Sequence, residues 1–272
     1  MSAPVRHPAV AGQFYPFNPN ELRREIEAFV RPGQEKIRAF GCVVPHAGYM
    51  YSGHVAGAVY ARLELPRRFI ILCPNHTGVG QPLAIMSRGQ WLTPLGEAAI
   101  DEPLAEELKR EFTLLREDDT AHLHEHSLEV QLPFLQQTVR EFTFVPIAVG
   151  TGRLEVLTGL GQSLARALKQ DGPKHDALII ASSDMNHYED DKRTRVKDRM
   201  AIDRVLSLDP VGLWETVQQE QISMCGYGPA VAMLTAALDL GASKAELVKY
   251  ATSGDISGDR DAVVGYAGMI VS

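Results

Sequence analysis

The sequence predicts an α/β fold: a single-domain, three-layer α/β/α sandwich with a mainly parallel or mixed central sheet. Three observations predict it. Short apolar runs alternate with longer amphipathic stretches along all 272 residues, the pattern of strands joined by crossover helices. No Gly/Ser linker, internal repeat or charge block divides the chain. Its composition, 45% hydrophobic and 22% charged, is that of an ordinary globular chain long enough to bury a substantial core.

The elements follow in order. Leu22, Ile26, Phe29 and Val30 have helical spacing, with Asn18 or Asn20 as the cap around Pro19. Residues 39–44 read as a buried strand, a Gly/Ala-rich helix follows over 53–63, and 68–73 and 83–87 are further strands. Asp101 and Pro103 open a helix over 102–112. Leu128, Leu132, Leu135 and Val139 space another helix, with Ser127 as its N-cap and Pro133 either kinking it or marking its first turn. A strand at 142–149, a helix at 153–169 and a strand at 176–182 come next. Helices over 190–206, 210–220 and 229–240 lead to two last strands, 246–252 and 262–271, expected as antiparallel edges.

Charge and cysteine usage exclude several classes of partner. Lys and Arg total 27 against 34 Asp and Glu, a net charge of −7, which gives no general attraction to nucleic acid or to an anionic membrane surface. The three cysteines are far apart and form no CxxC pair, so neither a disulfide framework nor a zinc ribbon is readable. The N-terminus lacks the apolar stretch of a signal peptide, and no apolar run is long enough to span a bilayer. The expectation is a cytoplasmic protein with no nucleic-acid or membrane partner.

The nine histidines are spread unevenly. Three predicted strands end alike: Val44 runs into Pro45-His46-Ala47-Gly48, Cys73 into Pro74-Asn75-His76, and Ala181 into Ser182-Ser183-Asp184-Met185-Asn186-His187. In an open α/β sheet, ligands bind outside the carboxyl ends of the strands. His46 and His76 lie 30 residues apart, about one strand–helix–strand unit of ~30 residues. Neighbouring parallel strands would place both imidazoles on one rim, where neutral imidazole suits iron, copper or zinc. One such histidine alone caps a loop more readily than it binds a metal; three on strand ends point to a shared site.

The densest cluster, Ala121-His122-Leu123-His124-Glu125-His126-Ser127, reads as a polar surface turn for His122 and His124, with His126 aimed inward. His7, His54 and His175 read as structural or surface residues. Cys42 and Cys73 lie inside apolar strands and read as core. Cys225, in the turn Met224-Cys225-Gly226-Tyr227-Gly228-Pro229, is either a buried hydrophobe or a thiolate near a helix N-terminus. Tyr49 and Tyr51 are either packing residues or a stacking surface for an aromatic substrate. Asp184 is either an N-cap or a member of the site.

Taken together, Pro45-His46-Ala47-Gly48-Tyr49, Pro74-Asn75-His76, Glu125-His126-Ser127-Leu128-Glu129, Ser182-Ser183-Asp184 with His187, and Cys225-Gly226 resemble the Memo family. Tyr15 in Ala11-Gly12-Gln13-Phe14-Tyr15-Pro16 and the segment Tyr266-Ala267-Gly268 fit the same pattern. The resemblance runs in order through nearly the whole chain. It implies a fold similar to the class III extradiol ring-cleaving dioxygenases, which are non-heme Fe(II) enzymes. It further implies His46, His76 and Cys225 as metal ligands, with Asp184 and His187 lining the same pocket.

In those dioxygenases the third ligand is a carboxylate. A thiolate in its place makes copper and zinc competitive with Fe(II). In this reading His187 is the acid/base group, His126 a supporting donor, and Asp184 orients His187 or supplies a carboxylate. Three functions compete. The first is a metalloprotein with redox or dioxygenase-like activity on a small substrate. The second is a non-catalytic adaptor that binds a protein partner through a vestigial pocket. The third is a metal- or Cys-dependent hydrolase.

Overall fold

A computed structural model describes residues 3–31, 33, 35–170 and 177–272. Helix α1 (Pro19–Phe29) starts where the sequence places it: the Asn18 side chain accepts from the backbone N–H groups of Asn20 and Glu21, and Pro19 fills the first turn. Asp101 and Asp209 cap α3 (Glu102–Glu111) and α7 (Pro210–Gln219) in the same way, each ahead of a first-turn proline. Helix α2 (Tyr49–Arg62) begins four residues earlier than expected and draws Tyr49 into the core, where its hydroxyl donates to the Val130 carbonyl. Tyr49 is therefore a packing residue.

Helix α4 (Leu132–Thr138) is short and follows a 3-10 turn at Glu129–Gln131, so Pro133 marks a first turn. Ser127 does not cap it. Its hydroxyl instead donates to Glu125 Oε1 at 2.6 Å. The remaining helices are α5 (Leu154–Gln170), α6 (Asp191–Leu206), α8 (Tyr227–Leu240) and the single turn α9 (Gly254–Ser257). Asp190, not Asp184, caps α6.

The centre of the sheet is four parallel strands in the order β8 (Thr143–Val149), β3 (Arg68–Pro74), β9 (Ala177–Ser182), β2 (Gly41–Val44). All four are almost wholly buried, as strands covered on both faces must be. Strand β9 lies between β2 and β3, so the strands that carry His46 and His76 are not neighbours as expected. The rim survives because all three end together: Val44 is in register with Ser182, and Leu72 with Ala181. The predicted start of β9 at residue 176, and His175 before it, lie outside the described residues.

β12 (Val263–Val271) pairs antiparallel with β2, and β11 (Ala245–Thr252) and β10 (His187–Glu189) pair antiparallel with β12. On the other side, β4 (Leu83–Ile85) joins β8 antiparallel, and β7 (Arg116–Glu117) pairs with β4. A hairpin of β5 (Gln90–Thr93) and β6 (Gly96–Ile100), with β1 (Val5–Arg6) beside β5, completes the sheet. One apolar core holds residues of α3, α5, α7 and α8 against one face, and a second holds α1, α2 and α4 against the other. This is the expected three-layer α/β/α arrangement. Among the described residues, no helix is long and apolar enough to cross a membrane.

Candidate metal centre

The rim above β2, β3 and β9 gathers histidines from three loops. The His46 and His76 ring centroids are 5.2 Å apart, His46 and His126 5.5 Å, and His76 and His126 4.8 Å, the last pair stacked at 20°. One ligand nitrogen from each of the three falls within 4.8 Å of the others, a spacing that one ion can bridge. Cys225 Sγ lies 3.2 Å from His46 Nε2. His46 is buried, His76 and His126 are partly exposed, and Cys225 is half-buried at the N-terminus of α8.

The hydrogen bonds behind these rings decide which nitrogen is free. Ser182 Oγ donates its one proton to the Ser127 carbonyl at 2.6 Å and accepts from Gln131 Nε2 at 2.9 Å. The Gln131 amide is itself fixed, because Tyr60 donates to its Oε1 and its Nε2 also donates to the Pro45 carbonyl. Toward His46 Nδ1, 3.0 Å away, Ser182 Oγ can therefore only accept. His46 carries its proton on Nδ1 and its lone pair on Nε2.

The same logic holds for His76. Glu125 Oε1 accepts from its Nδ1 at 2.9 Å, and Glu125 Oε2 accepts from its backbone N–H at 2.6 Å. The lone pair again sits on Nε2. A carboxylate or hydroxyl behind the ring that fixes the metal-binding nitrogen is the usual support of a histidine ligand. At His187, Nδ1 faces the Ser223 carbonyl at 3.0 Å and must be protonated, which leaves Nε2 as an acceptor. His187 lies outside the close trio, yet it is near enough to oppose protonation of His46.

Protonation states follow from burial and neighbours. Burial, then the charges of His126, His76 and His187, holds His46 well below the ordinary histidine range. Burial likewise lowers His126 and His187. Burial also opposes the His76 cation, but the hydrogen bond and charge of Glu125 outweigh it and raise His76. Burial would raise Glu125, but its bonds to His76 and Ser127 bring it down to about 2. Burial raises Asp184 to about 7, even though its Oδ1 accepts from the backbone N–H groups of His46 and Ala47. Burial, then the Asp184 carboxylate, raises the Cys225 thiol.

The donor set fits a transition-metal ion. It offers two imidazoles with defined Nε2 lone pairs, a third imidazole against them and a thiol beside the first, the ligand types taken by iron, copper and zinc. Of the residues expected at the site, His46, His76 and His126 form one cluster, and Cys225 and Asp184 touch His46. His187 stands at its edge.

Of the two readings of Asp184, the site member holds: its carboxylate binds the loop after β2 rather than capping a helix. One sequence expectation fails here. His122 is fully buried, not on the surface: it packs edge-on against Trp91, and among the described residues neither ring nitrogen has a hydrogen-bond partner. His124 is exposed as expected, and Cys42 and Cys73 lie in the core. Four supporting residues were given no role from the sequence, although Glu125 and Ser182 stand within its motifs: Glu125, Ser182, Gln131 and Ser223. Only Glu125, a carboxylate between two histidines, carried a readable signal.

The sequence profile described as "Memo-like protein" matches residues 6–270. A "MEMO1 family protein" of Methanosarcina mazei is 46% identical over 272 residues, covering 98% of this chain and 99% of its own length. One of Methanothermobacter thermautotrophicus is 42% identical over 275 residues, covering 97% and 99%. Among solved structures, an uncharacterized protein of Escherichia coli K12 superposes with a TM-score of 0.58 at 13% identity. It covers 86% of this chain and 100% of its own, a likeness of fold. With the profile spanning nearly its whole length and relatives matching it end to end, the chain belongs to the Memo family.

Proposed function

We propose that this chain is a metalloprotein that holds one ion through His46 Nε2, His76 Nε2 and Cys225 Sγ and carries out redox or dioxygenase-like chemistry on a small substrate. Fe(II) is the first candidate, with copper and zinc as alternatives. The observation that carries the reading is the pair of proton locks behind the rings: Ser182 and Glu125 leave Nε2 as the lone-pair nitrogen of His46 and His76. The bound ion would supply open positions for oxygen and substrate and, as iron or copper, electron transfer.

The remaining work falls to this chain's own groups. His187, neutral and with Nε2 free to accept, takes a proton from a hydroxyl of the substrate. Asp184, poised near neutrality and 4.0 Å from His46 Nε2, holds or releases a proton within the pocket. His126 closes one wall between Phe14 and His76 and helps to exclude water. The cysteine-hydrolase alternative needs a thiolate with no metal to stabilise it, and burial beside Asp184 disfavours that form of the metal-free Cys225. The free thiols of all three cysteines suit a reducing, cytoplasmic setting.

The test is elemental analysis of protein purified anaerobically without chelator. Wild type should carry close to one metal per chain, while His46→Ala and Cys225→Ala should carry none. His126→Ala should retain the metal. Retention by Cys225→Ala with loss in His126→Ala would replace the thiol by a third imidazole. Full occupancy in all three would end the proposal. Oxygen uptake by the Fe(II) form with catechols as probes, absent in His187→Ala, tests the chemistry.

A further inference from the structure

A cavity of about 490 Å³ lies between the C-terminal end of α1, helix α2 and strand β11, and no residue of the histidine rim lines it. Its volume falls within the ~300–1,000 Å³ of small-molecule sites. One wall is the Phe29 side chain, seated tightly on α2 because Gly53 and Gly57 have no side chain. A Cβ at either glycine would come within 2.4 or 2.5 Å of Phe29 atoms. The opposite wall is β11, where the pairing register shifts between Leu247 and Lys249. Successive residues of a regular strand face opposite ways. At this bulge Val248 and Lys249 both line the cavity, one apolar and one cationic.

The polar part of the lining is entirely basic: Arg31, His54, Arg62 and Lys249. Arg62 gives Nη2 to Glu246 Oε1 at 2.9 Å, but its Nε is buried and has no hydrogen-bond partner among the described residues. Both ring nitrogens of His54 are likewise buried and unpartnered among the described residues. Arg31 and Lys249 make no ion pair among the described residues, and they repel each other. Burial, then the Arg31 charge, lowers Lys249, and burial, then Lys249, lowers His54. With Arg62 offset by Glu246 and His54 neutral, the cavity holds two uncompensated positive charges beside an apolar wall. Two like charges facing one cavity repel each other, and a bound anion would relieve that repulsion.

We propose that this cavity is a binding site for a phosphate monoester carried on a small apolar or planar body. The phosphate lies between Arg31 and Lys249 at the mouth of the cavity, and the body rests on Phe29 and Val248. A dianion matches the two uncompensated charges, and guanidinium groups suit its oxygens. The site is separate from the histidine rim, so the proposal stands whether or not a metal binds there.

The experiment follows the histidine ring signals by NMR while phenyl phosphate, inorganic phosphate or benzoate is added. With phenyl phosphate, the His54 signals should shift saturably at one ligand per chain, while those of His122, buried against Trp91, should stay still. Inorganic phosphate, which lacks the apolar body, and benzoate, which lacks the second charge, should both bind more weakly. Lys249→Glu and Arg31→Glu replace exposed side chains and should not lower the melting temperature, yet each should weaken phenyl phosphate about tenfold or more. The proposal is overturned by the absence of a saturable His54 shift, or by equal affinity in both charge-reversed variants. Benzoate binding more tightly than phenyl phosphate, or a shift confined to the rim histidines, would overturn it too.

Discussion

Glu125, on the His76 side of the rim, and Asp184, on the His46 side, are both buried and both bonded to a histidine loop, yet burial prevails at only one of them. Glu125 accepts four hydrogen bonds, from the backbone and ring of His76 and from the backbone and hydroxyl of Ser127, and is held down at about 2. Asp184 receives backbone N–H groups on one oxygen, has no cation bonded to it among the described residues, and rises to about 7. The lesson is that burial does not set a carboxylate's state by itself; the number and charge of its donors do. One wall of the rim carries a permanent counter-charge, and the other carries a proton that can move near neutral pH.

Glu125→Gln is the strongest way to break the contrast. The amide brings its own N–H donors into a nest of four donors, so at least one pair must clash or separate. The expected loss is about 3 kcal/mol in urea unfolding, with the proposed metal lost during purification. An unchanged unfolding midpoint would mean that the Glu125 bonds contribute nothing and that the two walls are alike.

How far the sequence revealed this region depends on the range of each interaction. The strand ends and their histidines were readable because a buried apolar run followed by Pro-His or Pro-Asn-His is local. The helix starts at Asn18, Asp101 and Asp209 were readable for the same reason. The position of β9 between β2 and β3 was not, since two parallel strands 30 residues apart can be neighbours or leave room for a third. The β5–β6 hairpin was missed because its connection is Pro94-Leu95, not an Asn-Gly or Asp-Gly turn.

Burial of His122 depends on Trp91, 31 residues earlier in the sequence, and the support of His46 depends on Ser182 and Gln131, far along the chain. Ser127 looked like a cap because Ser before an apolar helical run usually is one. Glu125, two residues away and ionised, captured its hydroxyl instead.

The mobile-proton side can be sharpened with Asp198, which is buried and raised to about 7 like Asp184 but bonds Asn186 N and the Tyr250 hydroxyl rather than a rim histidine. Burial is the main cause of its rise. A carboxyl raised in the folded state binds its proton more tightly there than in the unfolded chain. Its contribution to stability is therefore full below the unfolded value and lost as pH rises through about 7. Asp198→Asn should match wild type near pH 4 and exceed it above pH 7, by a difference on the order of 2 kcal/mol. Equal pH dependence of the two proteins would show that Asp198 is ionised throughout.

A smaller effect is expected on the His46 side from Ser182→Ala. The hydroxyl that fixes the His46 proton disappears, as does an acceptor for Gln131. Stability should fall by about 1 kcal/mol, while metal affinity should fall by about 10- to 100-fold because the ring is no longer oriented. Threonine at this position keeps the hydroxyl and should restore most of the affinity. Failure of Ser182→Thr to do so would show that Ser182 matters through packing and not through its hydrogen bond.

The smallest expected effect lies at the outer edge of the same wall. Tyr188 follows His187 with φ of 62°, in the left-handed region that a tyrosine adopts only under constraint, and its side chain is 78% exposed. Its ring meets His187 at 5.6 Å, while His187 is held separately by the Ser223 carbonyl and hydroxyl. Asparagine tolerates this backbone better, so Tyr188→Asn should stabilise the protein by about 0.5 kcal/mol and leave the His187 ring where Ser223 fixes it. A loss of stability, or a changed His187 titration by NMR, would mean that the tyrosine ring helps to hold His187. The proton-carrying wall would then extend one residue further toward solvent.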